Sequence, residues 1–350
     1  MDESRQRLRT TTVWRMGGVV LIVVVAVALF AYSDRPPADP VPSAAQVEVP
    51  DPRDVYDPVR AGEPLPEGYR PLHGRDMIHP VYDPVFADAG EVDWPDNTDV
   101  IGVAGVEEAK AYPVSHLNFR EMVIDDIEGI PILVTWCPLC GTAMAHRREL
   151  DGELLVLGNQ GALWGNAMTW WDHDTGSIWS QPLGEAIVGP RKGQRLEPYP
   201  VTLTKWDAWL ESHPETLALD VPGRSTHFDL EQMAIVVDLG TDSAAYFVRP
   251  LREVGVINDT VADVDIAVVI DPANNQRWAV FSRQLDTSVA ELELTDEGLV
   301  DTNSGTVFDP FLGLGLSGPL AGQNLGRLSG FTSFRSDYLT FFPEGRTWPD

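Results

Sequence analysis

The sequence predicts an α+β protein, rich in mainly antiparallel sheet, whose two duplicated halves carry short helices and follow one N-terminal transmembrane helix. Three observations predict it. Residues 16–33 form an apolar run without a single charge. Beyond it, short β-branched runs alternate with turn residues, in a chain holding 30 Gly and 28 Pro. And the chain repeats itself once, at a spacing of 129 to 134 residues.

The N-terminal run is taken first. Its 18 residues, dominated by Val, Leu, Ile and Ala, span roughly 27 Å as a helix, close to a bilayer core. Arg5, Arg7, Arg9 and Arg15 precede it, against Asp2 and Glu3. That bias holds residues 1–15 in the cytoplasm and sends the rest of the chain outside. No small-residue cleavage site is evident around Ala28-Leu29-Phe30-Ala31. The segment therefore reads as an uncleaved signal anchor, with the lipid bilayer as its partner and the cell membrane as its location. Residues 34–75, rich in Pro and Asp without apolar periodicity, read as a linker.

Residues 76–225 are expected to form the first repeat and residues 226–350 a degenerate second one. Val100-Ile101-Gly102-Val103 before Ala111-Tyr112 matches Ala234-Ile235-Val236-Val237 before Ala245-Tyr246. Val123-Ile124-Asp125-Asp126 matches Val256-Ile257-Asn258-Asp259, and Gly189-Pro190 matches Gly318-Pro319. Within the first repeat a strand pair is predicted over 100–114, turning near Gly105. A helix follows over 115–122, then a core strand ending at Trp136. Further strands are expected at 142–148, at 154–157, and over 167–189 around the turn from Asp172 to Gly176. A last helix takes Thr204 as N-cap, Trp206, Trp209 and Leu210 as its apolar face, and Pro214 as its stop.

The chemistry concentrates where the core strand breaks, at Cys137-Pro138-Leu139-Cys140-Gly141. These are the only two cysteines. Two thiols three positions apart, in a turn shaped by proline and glycine, make half a metal site, a redox dithiol, or a short structural disulfide. Comparison of the halves sharpens the choice of neighbours. Cys137 aligns with Asp271, Cys140 with Asn274, Gln181 with Pro310 and Glu185 with Leu314. The second half has lost the thiols and the carboxylate together, which points to a shared site in the first. A tetrahedral zinc or a copper ion held by Cys137, Cys140, Glu185 and His146 is the leading expectation. Gln181, Asp172 and Trp179 are further candidates; His116 and His173 are alternative ligands.

The run Val134-Thr135-Trp136-Cys137-Pro138-Leu139-Cys140-Gly141-Thr142-Ala143 resembles the hallmark of the domain of unknown function 3179 family. So do Trp179-Ser180-Gln181-Pro182-Leu183-Gly184-Glu185-Ala186 and Ala109-Lys110-Ala111-Tyr112-Pro113. The resemblance covers residues 76–220 clearly and the second half weakly, and it implies no activity. Members commonly carry an aromatic residue where this chain has His146, which ranks His146 below the other ligands.

A formal charge of −28, with Lys110, Lys192 and Lys205 the only lysines, excludes general nucleic-acid binding. No Gly-rich phosphate loop, Ser-His-Asp order or His-Glu-x-x-His stands out. Three functions stay open: a membrane-anchored extracytoplasmic metal-binding protein, an extracytoplasmic thiol-disulfide oxidoreductase, and a non-enzymatic envelope module with a structural disulfide.

Overall fold

A computed structural model describes residues 49–226, 228–273 and 277–349. The expected tail and anchor, residues 1–33, lie outside the described residues. Among the described residues no helix is long and apolar enough to cross a membrane. The described chain is β-rich, with several mostly antiparallel sheets and a few short helices.

Three sheets follow one another in the first half. The hairpin of Asp99–Ala104 and Ala109–Pro113 pairs Ile101 with Tyr112. Its edges are closed by strands from about a hundred residues later: Thr202–Lys205 antiparallel to its first strand and Leu217–Leu219 parallel to its second. The second sheet runs through Met122–Ile127, Ile130–Cys137 and Thr142–Arg147. The third holds Leu157–Trp164, Ala167–Asp172, Ile178–Ser180 and Glu185–Val188. The same order of elements recurs from Ala234–Asp238 to Arg346–Trp348, including a parallel strand pairing, there between Ser243–Phe247 and Arg346–Trp348.

The middle sheet is buried on both faces, and strand alternation divides its side chains between two cores. Ile132, Val134 and Trp136 pack against Ile101, Val103 and Tyr112 of the first sheet. Leu133 and Cys137 pack against Leu157, Met168, Trp170 and Trp179 of the third. Each such aliphatic side chain contributes about 1.5–3 kcal/mol by leaving water. The short helix Val114–Arg120 caps the first core with Val114 and Leu117, and ends at Glu121 in a left-handed conformation, φ 59°.

Buried polar groups at equivalent places are satisfied in the same way. Tyr112 Oη donates to Asp125 at 2.6 Å, and Tyr246 Oη to Asp259 at 2.7 Å. Arg148 Nε donates to Ile132 O and Arg283 Nε to Ile266 O, each at 3.0 Å. These bonds correct the register read from sequence. Asp125, not Asp126, is the counterpart of Asp259, because Asp125 pairs with Ile132 as Asp259 pairs with Ile266. A one-residue slip would have put the carboxylate on the wrong face.

Two further expectations are corrected. From residue 49 the Pro- and Asp-rich segment is ordered rather than a linker. Asp57 caps the helix Pro58–Ala61, Gly62 ends it, and Arg70–Pro71 pairs with the third sheet. Its apolar contacts are single residues, Val59, Leu65 and Tyr69, so no period betrays them. Thr204 is no N-cap. It lies in the strand Thr202–Lys205, and the helix Trp206–Ser212 starts at Lys205 without a side-chain cap. Its first N–H groups donate instead to Thr98 O and Asp96 O at 2.9 and 3.0 Å.

Candidate dithiol site

Cys137 ends the strand Ile130–Cys137, and Thr142 faces it across the hairpin. Between them runs the turn of Pro138, Leu139, Cys140 and Gly141. Gly141 has φ 63°, and a Cβ there would lie 2.6 Å from Met233 Cε. Both its conformation and its surroundings therefore demand glycine. The turn is held from the second half, where Thr332 Oγ1 donates to Gly141 O at 2.6 Å.

Both thiols are free and each is 1% exposed, while Pro138 and Leu139 face solvent. Burial pushes the Cys137 thiol up, but donors more than offset it: the Cys140 thiol and the N–H groups of Cys140, Met168 and Leu139 point at its sulfur. Cys137 therefore ionises below the usual thiol range. Cys140 is driven well above it, by burial first and then by Cys137. One thiol is poised to ionise and its neighbour to keep a proton.

Gln181, a candidate from the sequence, lies beside Cys140. Its Oε1 lies 4.0 Å from Cys140 Sγ, and its Nε2 donates to Thr135 Oγ1 at 3.0 Å and Thr142 O at 3.2 Å. The amide thus ties the buried thiol to both strands of the hairpin.

A cavity of about 60 Å³ opens beside Cys137, lined by Pro138, Met168, His73, Glu121 and Asn159. Burial raises the Glu121 carboxyl, against a 2.6 Å hydrogen bond from Asn159 Nδ2. Sequence reasoning missed Glu121, Asn159 and His73. They come from separate segments and share no spacing that would have marked them.

The remaining candidates sit elsewhere. Glu185 begins the strand Glu185–Val188, half-buried, in a cleft with Leu183, Arg195 and Asp238 that contains neither cysteine. His146 is buried in the strand Thr142–Arg147, edge-on to Trp170 with ring centroids 5.2 Å apart. Its Nδ1 has no partner, and burial, aided by Arg195, pushes its pKa to about 3. Asp172 takes hydrogen bonds from Trp179 Nε1 at 2.9 Å and from Thr175 N at 2.7 Å, so both candidates stabilise a turn. His173 stacks on Trp171 and contacts Tyr82 Oη at 3.1 Å. His116 lies half-buried on the helix Val114–Arg120.

The expected set of Cys137, Cys140, Glu185 and His146 is therefore not assembled. Among the described residues no three His, Cys, Asp or Glu side chains are grouped to hold a metal ion. What the fold does assemble is a buried thiol pair of unequal acidity, an amide on one sulfur and a cavity on the other.

No curated protein and no solved structure matches the chain. Residues 75–229, which carry the thiol turn, Gln181 and Glu185, match the model of the family described as protein of unknown function (DUF3179).

Proposed function

We propose that Cys137 and Cys140 form a thiol–disulfide redox centre, on an extracytoplasmic domain anchored to the membrane by residues 16–33. The observation that carries this is geometric: two buried, free thiols in one turn, a cavity opening on Cys137 and the Gln181 amide beside Cys140; the lowered pKa of Cys137 and the raised one of Cys140 agree with it.

The Cys137 thiolate attacks one sulfur of a substrate disulfide, forming a mixed disulfide and expelling a substrate thiolate. Cys140 then loses its proton and attacks Cys137 Sγ. The Cys137–Cys140 disulfide closes and the second substrate thiolate leaves. The substrate gains two electrons and the dithiol loses two; the reverse sequence oxidises a substrate dithiol. Glu121, raised by burial in the same cavity, is our choice for the group that carries the proton. A cavity of about 60 Å³ holds only a few water-sized groups. Small disulfides and thiols are thus the substrates it favours.

The test is a redox titration of the full chain in dithiol buffers, with the Cys137–Cys140 bond followed by mass spectrometry. A reversible bond with a potential above about −300 mV, the region of structural disulfides, is expected. Thiols that stay free at every poise, or a bond that no dithiol reduces, would sink the reading; the latter would leave the structural staple.

A second reading has one observation in its favour. Met168 lines the same cavity as Cys137, giving two thiols and a thioether. That soft set suits monovalent copper better than four-coordinate zinc. Copper retained by the purified chain and lost in Cys137→Ser would establish it.

We further infer that the two halves arose by one duplication, with chemistry kept in the first. The matched Tyr–Asp and Arg–carbonyl bonds support this. Protease protection of residues 49–349 in sealed inverted vesicles, and digestion in right-side-out ones, is the expected topology.

A further inference from the structure

Away from the thiols, a cavity of about 170 Å³ lies where the two halves meet. That is room for roughly ten waters. Its walls are the rings of Trp209, Trp278 and Phe311, and two guanidinium groups, Arg277 and Arg327, line it. Arg277 stacks on Phe311 at 4.3 Å and is already engaged by Glu211 Oε2 at 2.7 Å and Ser212 Oγ at 2.9 Å.

Arg327 is different. Among the described residues it has no carboxylate partner. Its Nη1 donates to Phe311 O at 2.9 Å and its Nη2 to Thr202 Oγ1 at 2.7 Å, both neutral. Desolvation alone moves its pKa, to about 10, so it stays charged. The nearby acid Asp309 spends Oδ1 on the N–H groups of Phe311 and Leu312. His213 stays neutral, its pKa pushed to about 4 by burial and then by Arg327. A second polar group waits beside it: Thr204, 1% exposed, lines the cavity with an Oγ1 that has no hydrogen-bond partner. An uncompensated cation and an orphaned hydroxyl in one cavity are costly unless something polar and negative pairs with them.

The fold does not force this cavity on the chain, because the equivalent place is filled. There Pro198 takes the position of Arg327 and Phe331 that of Thr202, and the remaining space is about 20 Å³. Gly102 faces Thr202 where Val236 faces Phe331. A Cβ on Gly102 would fall 2.3 Å from the Trp209 ring. Glycine thus lets the indole lie flat against the strand and form a wall of the cavity.

We propose that this cavity binds a small organic carboxylate with a flat apolar body. Arg327 takes the carboxylate, whose two oxygens match a guanidinium fork. Thr204 Oγ1 donates to it, and the apolar body lies among Trp209, Trp278 and Phe311. The proposal is independent of the dithiol.

The test is isothermal titration of the full chain with benzoate, benzyl alcohol and acetate, on wild type, Arg327→Gln and Thr204→Val. One benzoate per chain is expected, bound well above both benzyl alcohol and acetate. Arg327→Gln is expected to weaken it about tenfold or more, and Thr204→Val by about threefold to tenfold. No benzoate binding at millimolar concentration, or equal binding of benzyl alcohol, would overturn the proposal; acetate binding as tightly as benzoate would overturn the apolar part. Should Arg327→Gln fail to fold, Thr204→Val decides, since it removes only an unpartnered hydroxyl: unchanged benzoate affinity refutes the site.

Discussion

Replacing His146 by phenylalanine is expected to stabilise the protein, and by more in acid than at neutrality. His146 is buried and neutral, with Nδ1 unpartnered and its pKa pushed from 6.5 to about 3. Near pH 7 the gain comes from removing an unsatisfied polar atom, about 1 kcal/mol. On acidification the unfolded chain binds a proton at His146 as pH falls through 6.5, while the folded chain resists until about 3. Stability therefore falls across that window. Linkage gives about 2 kcal/mol lost between pH 7 and pH 5 from this residue. Phenylalanine cannot titrate, so its advantage grows from about 1 to about 3 kcal/mol over the same interval. The extra ring atom has the small neighbouring cavity beside Pro182 and Leu183 to enter. Urea unfolding of wild type and variant at both pH values measures this directly. His173 and His213, both pushed to about 4 by burial, add slope to both proteins and cancel in the difference. A variant less stable than wild type, with the same difference at both pH values, would refute the argument and revive His146 as a paired group.

Gly141→Ala is expected to cost about 2–5 kcal/mol, from the left-handed backbone and from overlap with Met233; a fall in the urea midpoint at unchanged slope reads it out. In Cys140→Ser, Cys137 is expected to alkylate with a midpoint below the ordinary thiol range, whereas in Cys137→Ser, Cys140 stays unmodified until the chain unfolds; iodoacetamide rates against pH measure both. Tyr112→Phe is expected to cost about 1–3 kcal/mol, and Tyr246→Phe less. Asp125 is buried, with Lys110 at 3.2 Å as its cation, whereas Asp259 is more exposed and meets Arg346; thermal unfolding of the two variants ranks them.

The sequence made the thiol turn legible because an apolar β-branched run stopped at proline and glycine, and that is where the strand Ile130–Cys137 ends. Gln181 stood out because Pro310 stands in its place in the second half, and its Oε1 lies 4.0 Å from Cys140 Sγ. The same reasoning failed for Glu185. Its loss accompanies that of the thiols, but it lines another cleft, so joint loss does not measure distance. The cavity residues Glu121, Asn159 and His73 were illegible for a different reason. Glu121 reaches the site only because a helix ends there in a left-handed turn, and Asn159 because a strand crosses behind Cys137. Such convergence is tertiary and leaves no local pattern. The helix start at Lys205 was missed because carbonyls of Asp96 and Thr98, a hundred residues earlier, replace the expected cap.

The thiols lie in the first half, and contacts from the second half reach the turn that carries them. Met233 and Phe228 press on Gly141, and Thr332 supplies the donor for its carbonyl. Asn166 bridges Leu139 O and Asp337 Oδ2, each at 3.4 Å, so the exposed tip of the turn is tied to the second half as well. The Asp337 charge raises the pKa of Cys140 further, while the N–H donors that acidify Cys137 belong to the first half. Removing the Asp337 charge would therefore lower Cys140 slightly and leave Cys137 nearly untouched. The difference in acidity between the thiols, on which an ordered attack and resolution depend, is in this sense a product of both halves.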